Sequence, residues 1–135
     1  MRFALSITHN LLLEPVLKTF GTNRENSYVE VLDDALHVKM GAWFDETIPF
    51  SKIKSFAPSD WPWWGGLGVK LHHHGIGVVG STEHIVNLEL TEVIAMKVII
   101  KVEAERLWIS LEDRDGFFAA LAERTGKSVS PHSPF

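Results

Sequence analysis

Apolar and polar residues alternate along most of the chain, and alternation of this kind predicts β-strands with one buried face. The segments that alternate or are rich in β-forming residues are residues 2–8, 27–32, 35–40, 42–48, 53–56, 68–71, 77–79, 85–90, 97–103 and 107–111. Short polar or glycine-containing stretches separate them. The pattern therefore predicts a succession of short antiparallel strands joined by tight turns.

Two pairs of these segments favour hairpins. Residues 27–32 and 35–40 are separated by Asp33 and Asp34, a polar pair that suits a tight turn. Residues 68–71 and 77–79 flank a second turn, at residues 72–75, in a glycine-rich part of the chain. We expect each pair to form neighbouring antiparallel strands.

The hydrophobic period becomes helical near the C-terminus. Asp113 is a favourable N-cap, and Phe117, Ala120 and Leu121 follow at helical spacing. Gly126 is suited to end the helix, because glycine readily adopts the left-handed conformation of that position. The sequence predicts one C-terminal amphipathic helix between Asp113 and Gly126.

A second, shorter helix is predicted near the N-terminus. Asn10 is able to cap it, and Leu13, Leu17 and Phe20 recur on one face before Gly21.

Polar residues interrupt the N-terminal region too often for a secretory signal. We expect no signal peptide, no membrane association and a cytoplasmic location.

Many strands followed by one helix favour a mainly β fold. We expect a small antiparallel β-barrel or sandwich, with the C-terminal helix covering an open end. The 135 residues suit one domain, which we place at residues 1–126. Residues 127–135 have no pattern, and we expect a flexible tail there.

Composition excludes several classes of function. Thirteen Lys and Arg against seventeen Asp and Glu give a net charge of −4, which disfavours nucleic-acid binding. The chain has no cysteine, so disulfides, thiolate catalysis and Cys-ligated metal sites are excluded. A hydrophobic content of 45% with 22% charged residues is that of a packed globule.

Four segments resemble a known family. They are residues 28–31 (Tyr-Val-Glu-Val), 44–49 (Phe-Asp-Glu-Thr-Ile-Pro), 61–69 (Trp-Pro-Trp-Trp-Gly-Gly-Leu-Gly-Val) and 110–113 (Ser-Leu-Glu-Asp). In this order they are similar to an uncharacterised family of short bacterial proteins in the pleckstrin-homology-like group. The resemblance implies a pleckstrin-homology-like fold and brings no assigned activity or catalytic residue.

Phosphoinositide binding is not expected, even though the fold class suggests it. Recognition of the headgroup needs several convergent Lys or Arg side chains. Between Thr8 and Ser27, the chain has Lys18 and Arg24 but also two glutamates. The sequence therefore predicts no phosphoinositide headgroup site.

Trp61, Trp63 and Trp64 are the strongest candidates for an interaction site. Three indoles within four residues suit either a buried plug or an exposed contact, since Trp is common in cores and in interface anchors. We expect part of this segment to be buried. The alternative leaves at least one indole exposed as a contact with a partner or with a second copy, and the two interpretations are compatible for different indoles of the segment.

Histidines provide a weaker candidate, a metal site. His72 and His74 would lie on one face of a strand, where imidazoles are able to share a metal ion, with His84 or Glu83 as a further ligand. The alternative is a polar turn without a ligand set. Spacing alone does not choose between them.

A glycine motif and the acidic residues indicate no enzyme. Residues 75–80 read GxGxxG, but a dinucleotide site needs a helix at this turn, and alternating strand residues follow instead. Adjacent carboxylates such as Asp45 and Glu46 point to opposite faces of a strand. We expect no cofactor and no enzymatic activity.

The sequence thus predicts a non-catalytic module that acts through protein–protein contact or self-association. Exposed strand edges, and the apolar run at residues 93–100, are further candidate surfaces. The first alternative is a barrel that binds a small hydrophobic ligand or a lipid in an interior cavity. The second is a histidine-dependent metal-binding protein.

Overall fold

The structure is a computed structural model that describes residues 1–6, 26–42, 44–61, 68–72, 75–97 and 101–132. These residues contain a short 3₁₀ helix (Phe50–Lys52) and one α-helix, α1 (Arg114–Thr125). The strands are β1 (Arg2–Ala4), β2 (Ser27–Val31), β3 (Ala35–Met40), β4 (Phe44–Pro49), β5 (Ile53–Ser59), β6 (Gly68–His72), β7 (Gly75–Val79), β8 (Ile85–Lys97) and β9 (Lys101–Ser110). The helix predicted between Asn10 and Gly21 lies outside the described residues.

The first sheet is an antiparallel meander in the order β1-β2-β3-β4. Val31 pairs with Leu36 across the turn at Asp33 and Asp34, so the first predicted hairpin is confirmed. Side chains alternate as the sequence indicates: Val29 is fully buried, while its neighbour Tyr28 lies on the other, half-exposed face.

The second sheet has the order β5-β8-β9-β7-β6. Leu71 pairs with Ile76, which confirms the hairpin predicted from the glycine-rich segment. The expectation of a wholly antiparallel arrangement is wrong, because β7 and β9 are parallel, with Ile76 beside Leu107. Alternation reports which face a residue occupies and carries no information on strand direction.

β8 and β9 form a long hairpin, and three of the predicted strands, at residues 85–90, 97–103 and 107–111, have different boundaries in the structure. Lys97 pairs with Lys101, so the chain reverses between them and residues 97–103 are not one strand. The segment predicted at 85–90 is the first part of β8. The segment predicted at 107–111 is the last part of β9, extended by the bridge residue Leu111.

β5 also continues through Pro58, which an edge strand tolerates because it lacks a partner on one side.

Helix α1 is confirmed with both of its caps. The Asp113 carboxylate accepts a hydrogen bond from the Gly116 amide at 3.0 Å, and Gly126 ends the helix at φ 70°. Phe117 packs edge-on against Phe3 of the first sheet, with 5.7 Å between ring centroids. Phe118 stacks on Phe56 of the second sheet at 5.9 Å, so the helix joins both sheets.

The main core lies between the two sheets and is covered by α1. It includes Val38 and Ile48 from the first sheet, Leu88 and Leu107 from the second, and Leu121 from the helix. Over the described residues neither sheet closes on itself, so the barrel form of the prediction is wrong. The fold is two sheets packed on one core, with a C-terminal helix.

One corner connects the two sheets. Leu5, just after β1, forms a bridge with Leu111, just after β9, and the Ser6 amide donates to the Ser110 carbonyl at 2.9 Å. The Ser110 hydroxyl in turn donates to the Ser6 carbonyl and accepts from the Gly80 amide. This corner holds the C-terminal ends of β1, β7 and β9 together.

Residues 127–132 follow the outer edge of β5. The Ser130 amide donates to the Phe56 carbonyl at 2.9 Å, and the Lys127 ammonium donates to the carbonyls of Ile53 and Lys54. His132 lies 3.0 Å from the Asp60 carboxylate. We call this set of contacts the tail clasp.

Candidate functional site

Trp61 is a buried residue, with 4% of its surface exposed. It forms a second cluster with Val79, Ile85 and Trp108, separate from the main core. Ile76 and Val78 of β7 face the main core, so Val79 lies on the opposite, outer face of the second sheet. The second sheet therefore carries apolar packing on both faces.

Two glycines of the GxGxxG segment lie directly beneath the indoles. A Cβ atom on Gly77 would lie 2.5 Å from the Trp61 ring, and one on Gly75 would lie 2.3 Å from the Trp108 ring. These distances are too short for any side chain. Glycine is thus required here by close packing, and the element that follows is strand β8, without the helix that a dinucleotide site needs.

The centroids of the two indole rings are 6.0 Å apart, an ordinary aromatic contact. Beside them Asn87, paired with Trp108 across β8 and β9, is buried with 5% exposed. Its Nδ2 atom has no hydrogen-bond partner among the described residues. Burying a hydrogen-bond donor without an acceptor costs free energy, so this cluster includes a polar group in addition to its apolar packing.

Burial of Trp61 changes the interaction prediction at that residue. An indole that packs on Gly77 and Trp108 stabilises the fold and offers little surface to a partner. Trp63 and Trp64 lie outside the described residues, and for them the contact remains a prediction.

The histidines of the predicted metal site are not brought together by described contacts. His84 is exposed at φ 53°, in the turn before β8. His72 ends β6, but its side chain and residue His74 lie outside the described part of the structure. Among the described residues no three His, Asp or Glu side chains are grouped so as to hold a metal ion.

The outer strands of the sheets differ in how their edges are protected. β5 is covered by the tail clasp. β4 turns Glu46 toward the core side, where its carboxylate accepts from the Lys97 amide at 2.8 Å. An inward-pointing charge and a covering segment are both known ways to block edge-to-edge pairing.

β6 has no such protection within the described residues, where it pairs only with β7. Leu71 pairs with the fully buried Ile76, yet 61% of Leu71 is exposed. It is one of four large hydrophobic residues exposed in the described part of the chain. The sequence shows Leu71 as one more strand residue, and only the position of β6 at the edge makes it a candidate contact.

The apolar run at residues 93–100 is only partly exposed where it is described. Val93 is 50% exposed, whereas Met96 is buried in the main core. The run lies in the outer half of the β8–β9 hairpin, beyond the residues of β8 that pair with β5. As an interaction surface it is secondary to β6.

The solvent face of the first sheet carries a small charged network. His37 Nε2 lies 2.5 Å from Asp45 Oδ1, and Lys39 donates to Oδ2 of the same carboxylate at 3.3 Å. The hydrogen bond with His37, aided by Lys39, lowers the pKa of Asp45 below its ordinary value although burial opposes the shift. The network is exposed and joins β3 to β4.

A groove runs along α1 near the end of β5. Its apolar half measures about 400 Å³ and is lined chiefly by Pro58, Phe118, Ala119, Ala122 and Val129. A smaller, polar half of about 190 Å³ is lined by His84, Glu112 and Asp113. Arg114 and Asp115 line both halves, so the two adjoin.

No family model, curated protein or solved structure matches the chain. The resemblance to the bacterial pleckstrin-homology-like family therefore stays a prediction. The described helix α1 has twelve residues and is neither long nor apolar enough to cross a membrane, and no other described helix could do so.

Proposed function

We propose that this protein is a non-catalytic module that acts through protein–protein contact, and that it self-associates through the edge of β6. The observation that carries the proposal is the exposure of Leu71 on an outer strand that no described residue covers. An uncovered strand is a template for another strand, because its backbone groups on one side lack partners.

The register of the β6–β7 hairpin indicates which backbone groups are available. Two residues connect His72 to Gly75, so this closing pair exchanges hydrogen bonds, as does every second pair after it. Lys70 accordingly bonds to Gly77, while the amides and carbonyls of Val69 and Leu71 point away from β7. These outward groups suit a second strand.

A second copy of the chain is the simplest partner. Antiparallel pairing of two identical strands obeys a twofold axis, so each Leu71 would lie near the other β6. The paired edge then extends the five-stranded sheet through the dimer. Contact of this kind needs no further element from either copy.

Sedimentation equilibrium of the full chain and two variants tests the proposal. Leu71→Lys places a charge on the edge and should weaken self-association about tenfold or more. Val93→Lys makes the same change at another exposed aliphatic residue and should leave it unchanged. A wild-type chain that stays monomeric at high concentration, or a larger effect at Val93, contradicts the proposal.

The two alternatives predicted from the sequence remain open to direct measurement. Native mass spectrometry after purification without chelators tests a metal site at His72, His74 and His84. The same spectra test a small hydrophobic ligand.

A further inference from the structure

The groove beside α1 combines two surfaces of opposite character. Phe118 forms part of its apolar half and is nearly buried, whereas Val129 of the tail is 41% exposed and Ala119 faces solvent. The volume of the apolar half falls within the range of ordinary ligand pockets. Covering these apolar atoms would be favourable, so the groove suits an apolar side chain from a partner.

The adjoining half is negatively charged. Glu112, Asp113 and Asp115 bring three carboxylates, against the single guanidinium of Arg114. The Arg114 guanidinium donates to the Ile85 carbonyl at 3.1 Å and is thereby held against β8. The helix dipole contributes about half a positive charge at this end, less than the net negative charge of the side chains.

We infer that this groove binds an extended protein segment in which an apolar side chain and a Lys or Arg lie a few residues apart. The apolar side chain enters the half lined by Phe118 and Ala122, and the cation enters the half lined by Glu112 and Asp115. Charge complementarity selects this partner. The inference concerns a different surface from β6 and stands independently of self-association there.

The charge of the groove argues against other occupants. A fatty acid or a nucleic acid would bring its own negative charge beside the three carboxylates, and the whole chain, at −4, repels anions as well. Strand addition to β5 is also disfavoured. The Phe56 carbonyl, which a new strand would use, already accepts from Ser130.

Recognition in this groove therefore proceeds through side chains. The tail clasp positions Val129 as one wall, and the capped first turn of α1 positions Asp115. Both walls belong to segments with described hydrogen bonds to the rest of the fold.

Fluorescence polarisation with three labelled peptides tests the inference on the full chain. The probes are Gly-Ser-Leu-Pro-Gly-Arg-Ser-Gly, the same peptide with Glu for Arg, and the same peptide with Gly for Leu. We expect the Leu and Arg peptide to bind about tenfold more tightly than either of the others. Amide chemical shifts in ¹⁵N-labelled protein should change at residues that line the groove.

Two variants with matched controls locate the binding. Ala119→Gln fills the apolar half with a good helix former and should weaken binding about tenfold, whereas Ala42→Gln, at an exposed turn, should not. Asp115→Asn should weaken binding of the Arg peptide, and Asp34→Asn should not. The circular dichroism of each variant checks that it is folded.

Several results would overturn the inference. One is equal binding of the Arg and Glu peptides, and another is chemical-shift changes confined to β6. If decanoate binds in the groove as tightly as the Leu and Arg peptide, the site takes a small hydrophobic ligand instead. No binding of any probe at millimolar concentration also contradicts it, and leaves self-association through β6 unaffected.

Discussion

The two outer strands of the second sheet present a contrast. β5 carries Pro58, and its outward carbonyls accept hydrogen bonds from the tail clasp, so little of its backbone is left for another chain. β6 begins at a glycine, carries the exposed Leu71 and has no described segment along its outer edge. One edge is covered by its own chain, and the other is left uncovered by the described residues.

The contrast between β5 and β6 indicates where a small β-rich protein is able to pair with another chain. The presence of apolar residues on a strand does not decide the matter, since both strands carry them: Ile53 and Phe56 lie on β5 and Leu71 lies on β6. What decides it is whether hydrogen-bonding groups at the edge are already satisfied. Changes to the support of the β6 edge, or to the protection of the other edges, test this contrast.

The largest effect is expected from Trp61→Ala. The change removes a buried indole that packs on β7 and Trp108, and we expect a loss of about 3–5 kcal/mol in the free energy of unfolding. Urea denaturation measures it. If Trp61→Ala weakened self-association without destabilising the fold, Trp61 would instead be a surface contact.

Gly77→Ala is expected to cost about 1–3 kcal/mol, because the new Cβ overlaps the Trp61 ring. The β6–β7 hairpin would shift away from the sheet. In the double variant with Trp61→Ala, the methyl group has space. The loss in free energy of unfolding should therefore be smaller than the sum of the losses in the two single variants. Strict additivity in urea denaturation would contradict the close contact.

Removal of residues 127–135 should expose the β5 edge. We expect a loss of about 1 kcal/mol from the broken backbone hydrogen bond and exposed ion pair. We also expect new self-association that Leu71→Lys does not abolish. Sedimentation equilibrium of the truncated chain, with and without Leu71→Lys, measures this. A truncated Leu71→Lys chain that stays monomeric would show that the tail does not protect β5.

The smallest effect concerns a third edge, at β4. The lowered pKa of Asp45 means that its ionised form favours the folded state. This stabilisation is complete above the unfolded pKa of about 3.8 and is lost as the pH falls through the lower folded value. The pair is exposed, so we expect less than about 0.5 kcal/mol.

Asp45→Asn checks this sign. The wild-type chain should be slightly more stable than the variant at pH 6, and the difference should shrink as the pH falls below about 3.8. Asp34→Asn, at an exposed turn, serves as a control. A difference that grows toward acid would contradict the assignment.

Local features of the fold were predictable from sequence because they depend on neighbouring residues. The Asp33-Asp34 turn, the Asp113 cap and the Gly126 end of α1 each follow from the chemistry of one or two side chains. Strand partners were less predictable. The parallel pairing of β7 with β9 and the reversal between Lys97 and Lys101 leave the alternating pattern unchanged.

The candidate surfaces were harder to predict than the fold. The sequence draws attention to tryptophans, and Trp61 is a packing residue, whereas the position of Leu71 at an edge depends on the order of five strands. The groove brings Pro58 and Val129 to the first turn of α1, although they are distant in sequence. Such surfaces exist only after the chain has folded.

The indoles over Gly75 and Gly77 also have an evolutionary consequence. A larger residue at either glycine is tolerated only if the ring above it shrinks, so each glycine and its tryptophan should vary together among descendants of this chain. The two pairs, Trp61 with Gly77 and Trp108 with Gly75, would then identify distant relatives of this chain more reliably than overall sequence similarity. In such members, the glycine run marks a place where aromatic rings rest on bare backbone.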